Sequence, residues 1–153
     1  MPVKPYNRGP QRAHVKGRIV AKKILMIAAI SGLLAVALGA FGAHGLKTHL
    51  AADMLAIYQT SVQYHFYHSF ALLITSLVMV LAPNKLSAFR YSALFFIVGT
   101  LVFSGSLYLL AISGARWLGA ITPIGGLLLI AGWIALAVGS YQWQNIDQVE
   151  HHE

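Results

Sequence analysis

The sequence contains no cysteine. Disulfides, thiolate metal sites and cysteine nucleophiles are therefore excluded. Acid is almost as scarce, with four Asp and Glu in 153 residues. A glycosidase pair or a carboxylate cage for a metal needs more acid than that in one place. Charged residues of both signs make up 10% of the chain, where soluble domains carry about 25%. A water-soluble fold of this size could not cover its surface with so few charges. Apolar residues are what the chain has in plenty: 58% is hydrophobic and mean hydropathy is +0.67. This composition implies an integral membrane protein with no large extramembrane domain.

Four stretches are long enough to cross hydrocarbon. Residues 24–43 and 92–112 contain no charge at all. Twenty residues of helix span about 30 Å, the thickness of a bilayer core. The first is too long for the apolar region of a signal peptide, about 7–15 residues, and reads as a retained span. Residues 60–82 form a second span that takes in Gln63, His65 and His68, and Pro83-Asn84 ends it. Residues 123–141 form the fourth, with Thr122 as N-cap and Pro123 at the first helical position. Residues 50–58 place Leu50, Met54, Ile57 and Tyr58 on one helical face. They are either a short helix on the membrane surface or the early start of span two. The fold expected is all-α: a four-helix transmembrane bundle over residues 24–141, between a disordered basic tail (1–23) and an acidic tail (142–153).

The net charge of +7 resembles a nucleic-acid signal, yet seven of the eleven Lys and Arg lie in the first 23 residues. A basic flank without a folded platform is better read as an orientation signal, and no nucleic-acid partner is expected. With four spans, nine Lys and Arg fall on the side of the termini; the opposite side has Lys47 and Arg116. The positive-inside rule then puts both termini in the cytoplasm. Tyr91, Tyr141 and Trp143 would mark the inner interface, and Tyr58, Tyr64, Tyr108 and Trp117 the outer one.

Lipid is as apolar as leucine, so close backbone approach and hydrogen bonds must hold these helices together. Ser31, Ala35, Gly39 and Ala43 form one ridge of small residues at steps of four; Ala131, Ala135 and Gly139 form another. Gly105 in span three and Gly125-Gly126 in span four offer further close approach. Two readings stay open: the ridges pack within the bundle, or they pair with a second copy or a larger membrane complex. The indole N–H of Trp133, in mid-span, is expected to donate to a hydroxyl of span three or to a free carbonyl.

Polar residues gather in the outer half of the spans: His44, Tyr64, His65, His68, Ser104, Ser106, Tyr108 and Thr122. Intramembrane polar groups usually face a bundle interior or a wet cavity, so these residues suggest a polar pocket open to the non-cytoplasmic side. His68 lies about 12 Å deep by helix rise. It reads as a neutral histidine bonded to Ser106 or Tyr108, or as a proton-accepting or ligand-binding group. His65, His68 and His44 have the chemistry of a zinc or copper set, and His65 and His68 that of haem ligands. No carboxylate stands nearby to orient them, so no metal or other cofactor is assigned. His44 also suits the end of span one as a cap, with Gly45 in a left-handed turn. Ser104 and Ser106 have histidines within reach but no acid, and Gly125-Gly126 lacks the lysine of a phosphate loop. No catalytic residue and no enzymatic activity are therefore expected.

Four pieces of sequence carry a resemblance. They are LGAFGAHGL at residues 38–46, Y-x-x-x-H-x-x-A-L at 64–72, G-x-L-x-F-S-G-S-L-Y at 99–108, and T-P-I-G-G at 122–126 with G-W at 132–133. In this order and spacing the chain is similar to the YgdD-like family, small bacterial inner-membrane proteins with a domain of unknown function and an animal transmembrane relative. The resemblance implies four membrane helices in a bacterial inner membrane and no assigned activity. Two features depart from the family pattern: the long segment 1–23, and His65 where members often carry Gln. The function expected is a structural or accessory membrane protein acting through helix contacts, with the bilayer as its partner. The alternative is a module that binds or transports a small molecule, quinone or lipid headgroup in the outer pocket.

Overall fold

A computed structural model describes residues 9–81 and 86–150. Four long helices account for most of them: α1 Gly9–Phe41, α2 Ala52–Leu81, α3 Leu86–Ser113 and α4 Thr122–Glu150. Each is long and apolar enough to cross a membrane. A π-helical turn, Gly42–Leu46, ends the first crossing, and a 3-10 turn, Arg116–Ala120, leads into the last. The four expected spans coincide with these helices, which run further at most ends. Residues 50–58 are not a separate surface helix, because α2 begins at Ala52 and continues without a break.

Residues 9–23, expected to be irregular, are the first turns of α1. Extending an existing helix adds one hydrogen bond per residue with no new nucleus to form, and Gln, Arg, Ala and Lys support it. Pro10 stands in the first turn, where a helix N–H has no partner to lose. Residues 142–150 continue α4 in the same way. The remainder of the expected tails, 1–8 and 151–153, lies outside the described residues.

Packing follows chain order: α1 on α2, α2 on α3, α3 on α4. The ridge on α1 is used within the chain. Ala35 is fully buried, and a Cβ on Gly39 would lie 3.2 Å from Val62 of α2. Ala43, the last of that ridge, is exposed.

The seam between α3 and α4 differs from expectation. Ala131 and Ala135 are only half-buried. The contact is made by Gly125, Gly132 and Gly139, each beneath a phenylalanine of α3: Phe103, Phe96 and Phe89. Both triplets repeat every seven residues in opposite chain directions, so phenylalanine meets glycine at three successive levels, by its ring at Gly132 and Gly139 and by its backbone at Gly125. The Ser92 hydroxyl donates to the Gly132 carbonyl at 2.9 Å across the same seam. A Cβ on Gly126 would lie 3.8 Å from the Phe103 ring, an ordinary contact, and one on Gly105 would meet nothing within 4 Å, so Gly105 is not a packing site.

The hydrophobic core occupies the half of the molecule nearest the termini. Ile24, Ala28, Leu72, Met79, Phe89, Ala93, Phe96 and Leu129 cluster there, with Trp143 packed against them. The other half, towards the 42–51 and 114–121 connections, holds most of the polar side-chain contacts between helices.

Two expected caps do not form. The positive backbone φ among the described residues is that of Gly114, at 70°, where α3 ends. Gly45 is therefore not a left-handed cap; it lies against the Phe41 ring, where a Cβ would come within 2.7 Å. Thr122 is the first helical residue rather than the cap, and its hydroxyl pairs with Ser106 instead.

Candidate functional site

The polar residues of the far half do not converge on one pocket. They form separate hydrogen-bond groups, each tying particular helices together. The longest crosses three helices. Tyr108 of α3 meets His65 Nδ1 at 3.4 Å, and His65 Nε2 meets the Ser31 hydroxyl of α1 at 3.1 Å. Ser31 reaches Ser69 of α2 at 2.7 Å, and Ser69 donates to the His65 carbonyl at 2.8 Å.

One terminal bond fixes the direction of the whole series. Ser69 has a single proton, and it goes to the carbonyl. Ser31 must then donate to Ser69, and so it accepts from His65 Nε2–H. The series thus places a proton on His65 Nε2; in the neutral ring Nδ1 accepts from the Tyr108 hydroxyl.

His68 is held in the opposite tautomer. Its Nδ1–H donates to the Tyr64 carbonyl one turn earlier, at 2.8 Å. Its Nε2 accepts a long bond, 3.4 Å, from the Trp133 indole N–H of α4. The expected partners of His68, Ser106 and Tyr108, are not used. Trp133 likewise bonds neither a span-three hydroxyl nor a free carbonyl, because His68 presents a lone pair between α2 and α4. Phe96 stands edge-on to Trp133 at 5.2 Å and tilted to His68 at 5.8 Å, closing this aromatic group.

The remaining expected residues go elsewhere. Ser106 and Thr122 pair with each other at 2.9 Å. The Ser104 carbonyl accepts from Ser61 at 2.7 Å, while the buried Ser104 hydroxyl has no partner. The Tyr64 ring stacks on Phe103 at 4.5 Å. His44 is exposed on the π turn. Among the described residues, no three His, Asp or Glu side chains gather where they could hold a metal ion.

What His65 and His68 do share is a cavity of about 220 Å³. Ile27, Ile30, Ser31 and Leu34 of α1 form one wall, and Ile97, Thr100 and Leu101 of α3 the other, with Phe96 beside them. His65, His68 and Leu72 of α2 make the floor. The rim residues Ile30, Leu34 and Leu101 are 52%, 47% and 70% exposed. The opening therefore faces sideways, between α1 and α3. Towards the connections it is closed. Tyr108 bonds His65 there, and the Tyr58 hydroxyl donates to the Leu38 carbonyl of α1 at 2.9 Å, with the two tyrosine rings edge-on at 5.0 Å. A larger hollow of about 560 Å³ lies outside this closure, lined by Gly39, Gly42, Ala43, Gln59, Thr60 and Gln63 among others. It presents only neutral side chains.

The sequence matches the family described as "Protein of unknown function (DUF423)" over residues 38–126. The chain belongs to this family. Its relatives include the UPF0382 membrane protein of Haemophilus influenzae, 43% identical over 124 residues, which is 81% of this chain and 98% of the relative. The UPF0382 inner membrane protein YgdD of Escherichia coli K12 is 40% identical over 123 residues, 80% of this chain and 92% of the relative. The UPF0382 membrane protein YwdK of Bacillus subtilis is 38% identical over 125 residues, 80% and 98%. No solved structure matches the chain. With four membrane-length helices and these relatives, the protein is a multi-pass membrane protein of the inner-membrane type, in contact with the lipid bilayer.

The DUF423 segment contains most of the cavity-lining residues, including the whole floor and the α3 wall. Sequence reasoning singled out the two histidines and Ser31, but placed Ser31 only in a packing ridge. It gave Ser69 and the floor residue Leu72 no role. A signal for Ser69 existed: a serine four residues after His65 lies on the same helical face.

Proposed function

We propose that the protein is an intramembrane binding module, an accessory rather than a catalyst, that holds a small uncharged molecule drawn from the lipid. One observation supports this best: a cavity lined by four polar side chains, Ser31, His65, His68 and Thr100, has an exposed apolar rim of Ile30, Leu34 and Leu101, which in a membrane-spanning bundle meets hydrocarbon instead of water. Polar groups in that setting are costly unless something is gained from them. Ala35 and Gly39 of the α1 ridge and Gly125, Gly132 and Gly139 of α4 are occupied inside the chain, so they offer less to a second copy than the sequence suggested.

Transport across the membrane is not part of this reading. Below the cavity Met79, Phe89 and Ala93 are buried together, and the buried hydroxyls there, Thr75, Ser76 and Ser92, each donate to a backbone carbonyl, so no ionisable side chain among the described residues of the core marks a route. We also infer from the Lys and Arg distribution that both termini face the cytoplasm, so the apolar core lies in the inner half of the bilayer.

The test uses the protein extracted in mild detergent. Native mass spectrometry and solvent extraction of the wild-type chain should find a bound neutral amphiphile, absent from an Ile97→Phe variant that fills the cavity. A wild-type protein that carries nothing, and that no membrane-soluble compound stabilises against heat, would overturn the reading.

A further inference from the structure

The hydrogen-bond inventory of the cavity narrows the class of ligand; this step rests on the binding reading above. His68 has both ring nitrogens engaged. His65 likewise has both engaged, and Ser31 gives its one proton to Ser69. Thr100 is different. Thr60 and Thr75 bond back to the carbonyl four residues earlier. Among the described residues, Thr100 makes no such bond and no other. Among the lining residues, the donor left without a partner is therefore the Thr100 hydroxyl. A ligand that meets it must supply an acceptor oxygen.

Charge narrows the class again. No Lys, Arg, Asp or Glu lines the cavity, and the bond from the Trp133 indole requires a neutral His68. An ionised head, such as a fatty-acid carboxylate or a phosphate, would find no counter-charge in hydrocarbon.

Size and access narrow it further. A dry cavity of about 150 Å³ accepts a benzene ring, so about 220 Å³ takes one ring with small substituents. The exposed rim at Leu34 and Leu101 lets a chain attached to that ring stay in lipid. Phe96 supplies an aromatic wall.

We propose that the cavity takes the ring of a quinone-type lipid: an uncharged cyclic diketone with an alkyl or prenyl tail, one ring carbonyl accepting the Thr100 proton. Such a ring already partitions into hydrocarbon, so its second carbonyl loses no water on entry. The step is binding alone, with no electron or proton transferred.

The probe is a decyl-substituted benzoquinone, and the control is decylbenzene, which has the tail and ring but no oxygen. Trp133 reports on the site through His68 and Phe96. With Trp117 and Trp143 changed to Phe, quinone addition should quench Trp133 fluorescence saturably. Thermal stabilisation of the full wild-type chain, measured in parallel, gives a readout that does not depend on those two changes. Thr100→Val should weaken quinone binding about tenfold, the value of one hydrogen bond. Thr100→Ser should restore it to within about twofold, and Ile97→Phe should abolish it. If Ile97→Phe abolishes binding but Thr100→Val leaves it unchanged, or if decylbenzene competes as well as the quinone, the carbonyl contact is wrong while the binding reading stands. If the quinone neither quenches saturably nor stabilises, the quinone assignment fails. The binding reading itself falls only if extraction also finds the cavity without a ligand.

Discussion

Gly125→Ala should separate α3 from α4. A Cβ at this position would lie 2.4 Å from the Phe103 backbone nitrogen and 2.7 Å from its Cα. Ordinary carbon contacts lie at about 3.5–4.0 Å, so the helices must part locally by about 1 Å. The obstacle is backbone, and no rotamer change can relieve it. Overpacking of this kind costs about 1–3 kcal/mol. Alanine regains about 0.5–1 kcal/mol through its better helix propensity, which leaves a net loss of about 1–2 kcal/mol. Gly105→Ala is the matched control. It changes the same residue type in the facing helix, and its Cβ meets nothing within 4 Å. It should be neutral or slightly stabilising. Reversible unfolding in mixed dodecyl maltoside and SDS micelles, followed by tryptophan fluorescence, compares the two directly. Equal stability of Gly125→Ala and Gly105→Ala would refute the close glycine–phenylalanine seam.

Other consequences are open to measurement. The ring nitrogens should show opposite tautomers by 15N NMR, with the proton on Nε2 in His65 and on Nδ1 in His68; the same tautomer at both sites would break the bonding scheme. Ser92→Ala removes the bond to the Gly132 carbonyl and should cost about 0.6 kcal/mol, the mean for such bonds within membranes; a loss above about 2 kcal/mol would mean that Ser92 does more than this bond. Reporter fusions at both ends of the chain should be active only in the cytoplasm, as expected from nine Lys and Arg on that side and two on the other.

The number of crossings was legible because uncharged runs of membrane length admit few other fates. The apolar character of one half was legible for the same reason. The helix pairings were not. In a helix largely surrounded by lipid, both the inward and the outward face are apolar, so hydrophobic periodicity does not tell them apart. Steps of four drew attention to Ala131 and Ala135. The working pattern was steps of seven, and it becomes distinct only when Gly125, Gly132 and Gly139 are read against Phe89, Phe96 and Phe103 of another helix.

The histidines show the same limit. The three-residue spacing of His65 and His68 puts them on one face of α2, which the sequence gives correctly. It cannot say that one turns to Ser31 of α1 and the other to Trp133 of α4, because those partners depend on how the neighbouring helices are rotated. The outward pocket inferred from polar residues failed for a related reason. Tyr58 and Tyr108, which look like interface anchors, instead close the cavity on that side. The helical extensions at 9–23 and 142–150 were missed because a span that leaves the bilayer has no hydrophobic signal to mark its continuation.

The central claim is that the cavity floored by His65 and His68 opens to lipid and not to water. The chain has no cysteine, so a single nitroxide label at Ile97→Cys tests it without other changes. In lipid bilayers the label should collide readily with oxygen and hardly at all with a water-soluble nickel chelate, like a label at the exposed apolar Leu33. Nickel accessibility matching that of a label at His44, on the exposed π turn, would contradict it.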